Sequence, residues 1–234
     1  MNIKINRTMD KNKTINVSID RAREWYNGSD EGLRKLALEC YSSDELVIIP
    51  FEKIKCFEDA VIALNLNLDF VRSVVAEIEM LGNVHVAMYK LSTIRKALNL
   101  GQNLHVTKNP ENSRLYYPCN PFLPDGCTFY EEELNSGEME EIGKIKVEGE
   151  EYKVLGNYAL SGARSGLGTY EVYVDTCFAD ANIGFLGCAN EEIAKHFGKY
   201  FGMLITEAKY GWIDGFEVIE DKYNCIVNRQ NYGY

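Results

Sequence analysis

Near residue 101 the hydrophobic period of the chain changes, and neither an all-helical nor an all-β fold can absorb that change. From Val84 the sequence VHVAMYKLSTIRKALNLG places apolar residues at Val84, Met88, Leu91, Ile94 and Leu98 and stops at Gly101. That three-to-four spacing predicts one face of a helix. Beyond it come Tyr116-Tyr117-Pro118, Pro121 and Pro124, and from Cys127 to Asn190 short alternating runs separated by turns. The expected fold class is α+β: a small N-terminal helical bundle, then an antiparallel β-rich part with one long C-terminal helix.

Local signals place the elements. Residues 14–18 alternate as a short strand, and Ser18 can cap a helix over 19–26. Asn27-Gly28 is a turn, and Ser29 is positioned to cap a second helix carrying Leu33, Leu36, Ala37 and Cys40 on one face. Residues 57–64 and 68–81 read as two more helices, the second with Val71, Val74, Val75, Ile78 and Leu81 at helical spacing and Gly82 past its end. Strands are expected at 144–147, 152–155, 158–160, 170–174 and 183–186. Asn190 can cap a helix to about 210, with a buried stripe of Ile193, Phe197, Phe201, Leu204, Ile205 and Ala208. Gly198 and Gly202 on that helix, each costing about 0.5–1 kcal/mol against Ala, imply that another backbone packs closely there. Trp212, Phe216, Val218 and Ile219, then 223–227, add one or two strands. The domains expected are a flexible basic arm (1–13), a helical domain (14–102), a Tyr/Pro-rich linker loop (103–126) and a β-rich domain (127–234).

Composition narrows the function. With 46% hydrophobic residues the chain can bury a sizeable core. No run of about 18 apolar residues is present, so no transmembrane helix is expected. The polar start MNIKINRTMDKNK lacks an apolar signal segment, which points to an intracellular product or a particle assembled inside a cell. A net charge of −10 argues against nucleic acid as a partner, because phosphate binding needs a basic surface. Between Phe129 and Glu151 nine Glu stand against two Lys. That stretch is either a solvated acidic hairpin or loop, or a patch for a basic partner or cations; it lacks the spacing of a calcium loop. The seven cysteines form no CxxC pair, so reduced thiols are expected, and no metal or cofactor is. Cys119 and Cys127 flank a proline-rich loop and can approach one another.

Candidate chemistry is sparse. Ser161 to Gly168 is glycine-rich and carries Arg164, which could surround an anion, but a strand rather than a helix follows it and the Gly-Lys-Ser/Thr ending is missing. A hairpin turn fits it better. His85, His105 and His196 are scattered, and no nucleophile motif supports them. The fifteen tyrosines carry more weight: Tyr116, Tyr117, Tyr158, Tyr170 and Tyr173 gather in the strand-rich half. They suit a protein interface or a sugar-binding surface, or they pack across the sheet as cross-strand pairs.

Three segments carry a resemblance. INVSIDRAREWYNGSDEGLRKLALECYSSDEL (15–46), MYKLSTIRKALNLG (88–101) with the later RLYYP (114–118), and IGFLGCANEEIAKHFGKYF (183–201) resemble a loosely related protein family of gut Bacteroides and the tailed, crAss-like phages that infect them. Members usually carry Arg where Phe185 or Leu186 stands, and Gln102 to Lys108 also departs from the family pattern. The resemblance implies a phage or prophage origin and brings no catalytic residue with it. The reading for this chain is a non-enzymatic, phage-encoded structural or interaction protein, a virion component or accessory, that assembles through its aromatic strand-rich half with itself or other virion proteins. The alternative is a module for a sugar or anionic metabolite, with Arg164, Tyr170 and Tyr116 or Tyr117 around the ligand; Tyr173 joins these as a ligand or interface candidate. A second alternative is an enzyme that brings a Cys, a His and a carboxylate into one cleft.

Overall fold

A computed structural model describes residues 2–4, 14–102, 114–124, 126–164 and 186–226. The chain divides into two compact units, Met1–Pro50 and Phe51–Tyr234.

In the first unit, β1 (Asn2–Lys4) pairs antiparallel with β2 (Thr14–Asn16), Ile3 opposite Ile15. Residues 2–4 of the expected flexible basic arm are therefore strand; residues 5–13 fall outside the described residues. α1 (Ile19–Asn27) starts at Ser18, whose hydroxyl accepts from the Arg21 amide at 3.3 Å. The cap of α2 (Glu31–Cys40) is Asp30 rather than Ser29. One carboxylate oxygen of Asp30 accepts from both Gly32 and Leu33, at 2.8 and 3.0 Å, which a single hydroxyl one residue earlier cannot match. α3 (Ser43–Leu46) is held by Glu45, which accepts from the amide and hydroxyl of Ser42; those bonds keep the Glu45 carboxyl below its usual range. Val17, Ala22, Ala37, Cys40 and Leu46 form the core, with Trp25, Tyr26 and Tyr41 against it. Buried Arg23 donates from Nε to the Glu45 carbonyl at 2.8 Å.

The second unit begins with a 3-10 turn, Phe51–Lys53, followed by α4 (Phe57–Ala63), α5 (Leu68–Glu79) and α6 (Asn83–Leu98). The buried side of α6 is Val86, Ala87, Lys90, Leu91, Ile94, Ala97 and Leu98. Met88, expected on the buried stripe, is exposed, and Val84 is half-buried. The stripe is wider and rotated because α6 packs against α4 and α5 and also against α8 (Glu191–Tyr210). This second contact explains why the compact division falls at Pro50 and not near residue 102. Through α6 and α8 the last three helices before Gly101 join the same compact unit as the sheet.

A four-stranded antiparallel sheet runs in the order β4 (Phe122–Pro124), β6 (Glu150–Gly156), β5 (Glu140–Val147), β8 (Glu217–Asp221). A separate pair joins β3 (Arg114–Cys119) to β7 (Tyr158–Arg164). Much of the expected Tyr/Pro linker loop is thus strand, since Tyr116, Tyr117 and Pro118 all lie in β3. The acidic stretch is not one hairpin or loop: it is α7 (Glu131–Ser136), followed by the β5–β6 hairpin, which turns at Glu148-Gly149 with φ of +51° and +94°. Ser161 to Arg164 belong to β7, whereas the rest of the glycine-rich segment and the strands expected at 170–174 and 183–185 lie outside the described residues.

α8 lies across these strands, capped by Asn190, whose Oδ1 accepts from the Ile193 amide at 2.9 Å. Ile193, Phe197, Phe201, Leu204 and Ile205 are buried, and Ala208 is half-buried.

Candidate interaction surface

Tyr116 and Tyr117 sit in the middle of β3, half-buried. Tyr116 exchanges backbone hydrogen bonds with Cys188, at 3.0 and 2.8 Å, and Tyr117 lies opposite Leu160 after a bulge in the β3–β7 ladder. Burial pushes the Tyr117 phenol up, against the opposing charge of Arg95. Arg164 ends β7 opposite Arg114, two residues along from Tyr116. Tyr170 and Tyr173, the other members of the expected ligand set, lie outside the described residues, as does Cys177.

Gly198 and Gly202 mark the place where α8 meets the strands. A Cβ at Gly198 would stand 3.2 Å from the Pro118 Cβ; at Gly202 it would stand 2.3 Å from Ile142 Cδ1 and 2.4 Å from Asn120 Nδ2. Asn120 uses the space they leave: its Nδ2 donates to the carbonyls of Leu155 and Gly198, both at 2.9 Å. Its Oδ1 is buried, with no partner among the described residues.

One group of side chains escaped notice in the sequence. His196, Lys199 and Tyr200 lie on one side of α8 by their three- and four-residue spacing. Tyr200 packs between His196 and Tyr223, with ring centroids 4.6 and 4.7 Å away, and Phe51 meets His196 edge-on at 5.4 Å. The ammonium groups of Lys55 and Lys199 lie 5.3 and 5.7 Å from the Tyr200 ring, and that of Lys222 lies 5.5 Å from the Tyr223 ring. Glu140, at the start of β5, holds the group together. Its carboxylate accepts from Lys199 at 3.3 Å, lies 3.7 Å from Lys222 and accepts the Tyr223 hydroxyl. Burial and that carboxylate together raise the Tyr223 phenol. His196 donates from Nε2 to the Ile54 carbonyl at 2.7 Å, and burial lowers its pKa. The only sequence signal here was the spacing on α8; Phe51, Lys55, Glu140, Lys222 and Tyr223 come from segments far apart in the chain.

Elsewhere the second unit exposes large apolar side chains: Phe70 at 67%, Met80 at 84%, Leu81 at 66%, Phe129 at 74% and Trp212 at 72%. Phe70 lies on α5, and Met80 and Leu81 follow its end in the turn before α6. The thiols are poor nucleophiles where they are buried. Burial raises Cys56 to about 11 and Cys188 to about 12, and it raises Cys225 well above its ordinary range, beside Asp221, whose own carboxyl is raised by burial. Cys225 donates to Asp221 at 3.8 Å, so this pair favours protonated forms. Cys119 is buried and Cys127 exposed, and the two do not form a disulfide. Among the described residues no three His, Cys, Asp or Glu side chains gather to hold a metal ion, and no helix is long and apolar enough to cross a membrane. No protein-family model matches the chain, and neither does any curated protein or solved structure.

Proposed function

We propose that this chain is a non-enzymatic interaction protein of phage origin, a virion component or accessory made in the infected bacterial cytoplasm, and that it assembles with further copies of itself. The phage origin rests on the resemblance of residues 15–46, 88–118 and 183–201. The self-assembly rests on one observation: five large apolar side chains, Phe70, Met80, Leu81, Phe129 and Trp212, stand 66% or more exposed in a single compact unit. Aromatic residues and methionine are enriched where protein surfaces meet, and the first anchors of an interface are rings that another surface can desolvate.

The test is sedimentation velocity and mass photometry on purified protein from nanomolar to tens of micromolar. The expected result is a concentration-dependent oligomer in the wild type. The combined variant Phe70→Ser, Leu81→Ser, Phe129→Ser, Trp212→Ser should be monomeric with an unchanged circular dichroism spectrum, since exposed positions contribute little to folding. A wild-type chain that stays monomeric throughout that range overturns the reading.

A further inference from the structure

The lysine–tyrosine cluster of α8 is a local reversal of charge in an acidic chain. Three ammonium groups, of Lys55, Lys199 and Lys222, converge within 6.0 Å of the rings of Tyr200 and Tyr223. Glu140 is shared by two of them. Among the described residues no carboxylate lies within ion-pair distance of Lys55, whose side chain is exposed. The cluster is therefore under-neutralised, and the tyrosine rings give it a rigid, partly apolar floor.

The opposite situation holds nearby. α7 carries Glu131, Glu132 and Glu133 in its first turn, and among the described residues none of the three forms an ion pair. Three residues separate the end of α7 from Glu140, so at most about 14 Å of chain lies between the acidic helix and the carboxylate that anchors the lysines, and the Met139 amide donates back to the Glu133 carbonyl at 3.0 Å. Lys195, one turn before Lys199 on α8, is bonded to Glu191 at 2.8 Å and also feels the charge of Glu138, just past α7. Unpaired acid and under-neutralised base thus stand side by side.

Two neighbouring patches of opposite sign are what a two-fold interface requires, because the rotation carries each patch onto its complement twice. A nucleic acid or other extended polyanion would meet the −10 charge of the whole chain and only this small basic area. A second copy offers three unpaired carboxylates on a helix as the complement. We infer that the Lys55–Lys199–Lys222 cluster docks the acidic helix α7 of a second copy of this chain, while that copy's cluster docks α7 of the first. This inference rests on the proposed self-assembly and specifies its register.

A charge exchange tests it. Lys199 stays untouched because it clasps Glu140 inside the fold. One variant carries Lys55→Glu and Lys222→Glu; the other carries Glu131→Lys, Glu132→Lys and Glu133→Lys. Each alone should weaken self-association about tenfold or more, because both contacts of its own dimer become like-charged. An equimolar mixture should associate within about twofold of the wild type, since every contact in the mixed pair is again of opposite sign. The milder pair Lys55→Gln, Lys222→Gln, with a wild-type circular dichroism spectrum, should show a smaller loss and guards against misfolding. Charge variants that associate as the wild type does overturn this inference and leave self-assembly standing. A mixture that fails to re-associate overturns the pairing with α7. A monomeric wild type overturns both.

Discussion

Gly202 shows how far a single hydrogen atom matters where α8 crosses the strands. Its missing Cβ is the space in which the Asn120 amide reaches the Leu155 and Gly198 carbonyls. Gly202→Ala should destabilise the protein by about 1–3 kcal/mol in urea denaturation. Ile142 Cδ1 can move aside, but the twice-bonded amide cannot. Gly198→Ala, whose new Cβ would stand 3.2 Å from the Pro118 Cβ and 3.6 Å from Asn120 Nδ2, should cost less. The two glycines were legible in the sequence as a place of close approach, because a glycine pair in a helix is unfavourable unless something uses the room. Asn120 was not legible, since nothing in its neighbourhood reveals a partner 78 residues away.

His196 supplies a pH-dependent term at the same scale. Its folded pKa lies below the ordinary 6.5, chiefly through burial, with Lys55 and Lys199 adding to the effect and Glu52 opposing it. The stability it contributes is therefore present above pH 6.5 and is lost as pH falls from 6.5 through the lowered value. Asp221 slopes the other way. Burial raises its carboxyl above 3.8, so its contribution is full below 3.8 and is lost as pH rises through the raised value. The difference between wild type and His196→Gln isolates the histidine, because glutamine keeps a donor for the Ile54 carbonyl without titrating. Thermal melts at several pH values should show the wild type losing stability relative to the variant below pH 6.5. A constant difference between them would remove His196 as the source.

Among the elements, the β5–β6 hairpin carries a local conflict. Its two-residue turn has positive φ at both Glu148 and Gly149, a geometry that favours Asn-Gly and penalises Glu. Glu148→Asn should stabilise by about 0.5–1 kcal/mol, read as a raised melting temperature. The apolar residues announced the second half of β5 and the middle of β6, whereas the strand character of Arg114–Cys119 was obscured by Pro118. A proline is tolerated there because the β3–β7 pair is not an interior ladder of the larger sheet. α7 was also hidden: it is one and a half turns long, with Leu134 as its only large aliphatic residue, too short to show a period.

At the scale of the molecule, the helices α4 to α6 belong with the sheet. Buried Leu91, Ile94 and Leu98 of α6 lie on the helix that packs against α8, and α8 in turn packs on β3, β5, β6 and β7. A fragment of residues 51–234 should therefore fold cooperatively by circular dichroism and thermal melting. A fragment of residues 103–234 should not, because it leaves one side of α8 without its cover. Cooperative melting of the shorter piece would show that the sheet and α8 suffice.

The α+β class, the caps of α1 and α8 and the glycine pair of α8 could all be read from neighbours along the chain, because capping, period and backbone cost act over a few residues. The boundary at Pro50, the rotated face of α6 and the gathering of three lysines around two tyrosines could not. Each depends on which segments become neighbours when the chain closes its core, and side chains 55, 140, 199 and 222 have no local reason to meet.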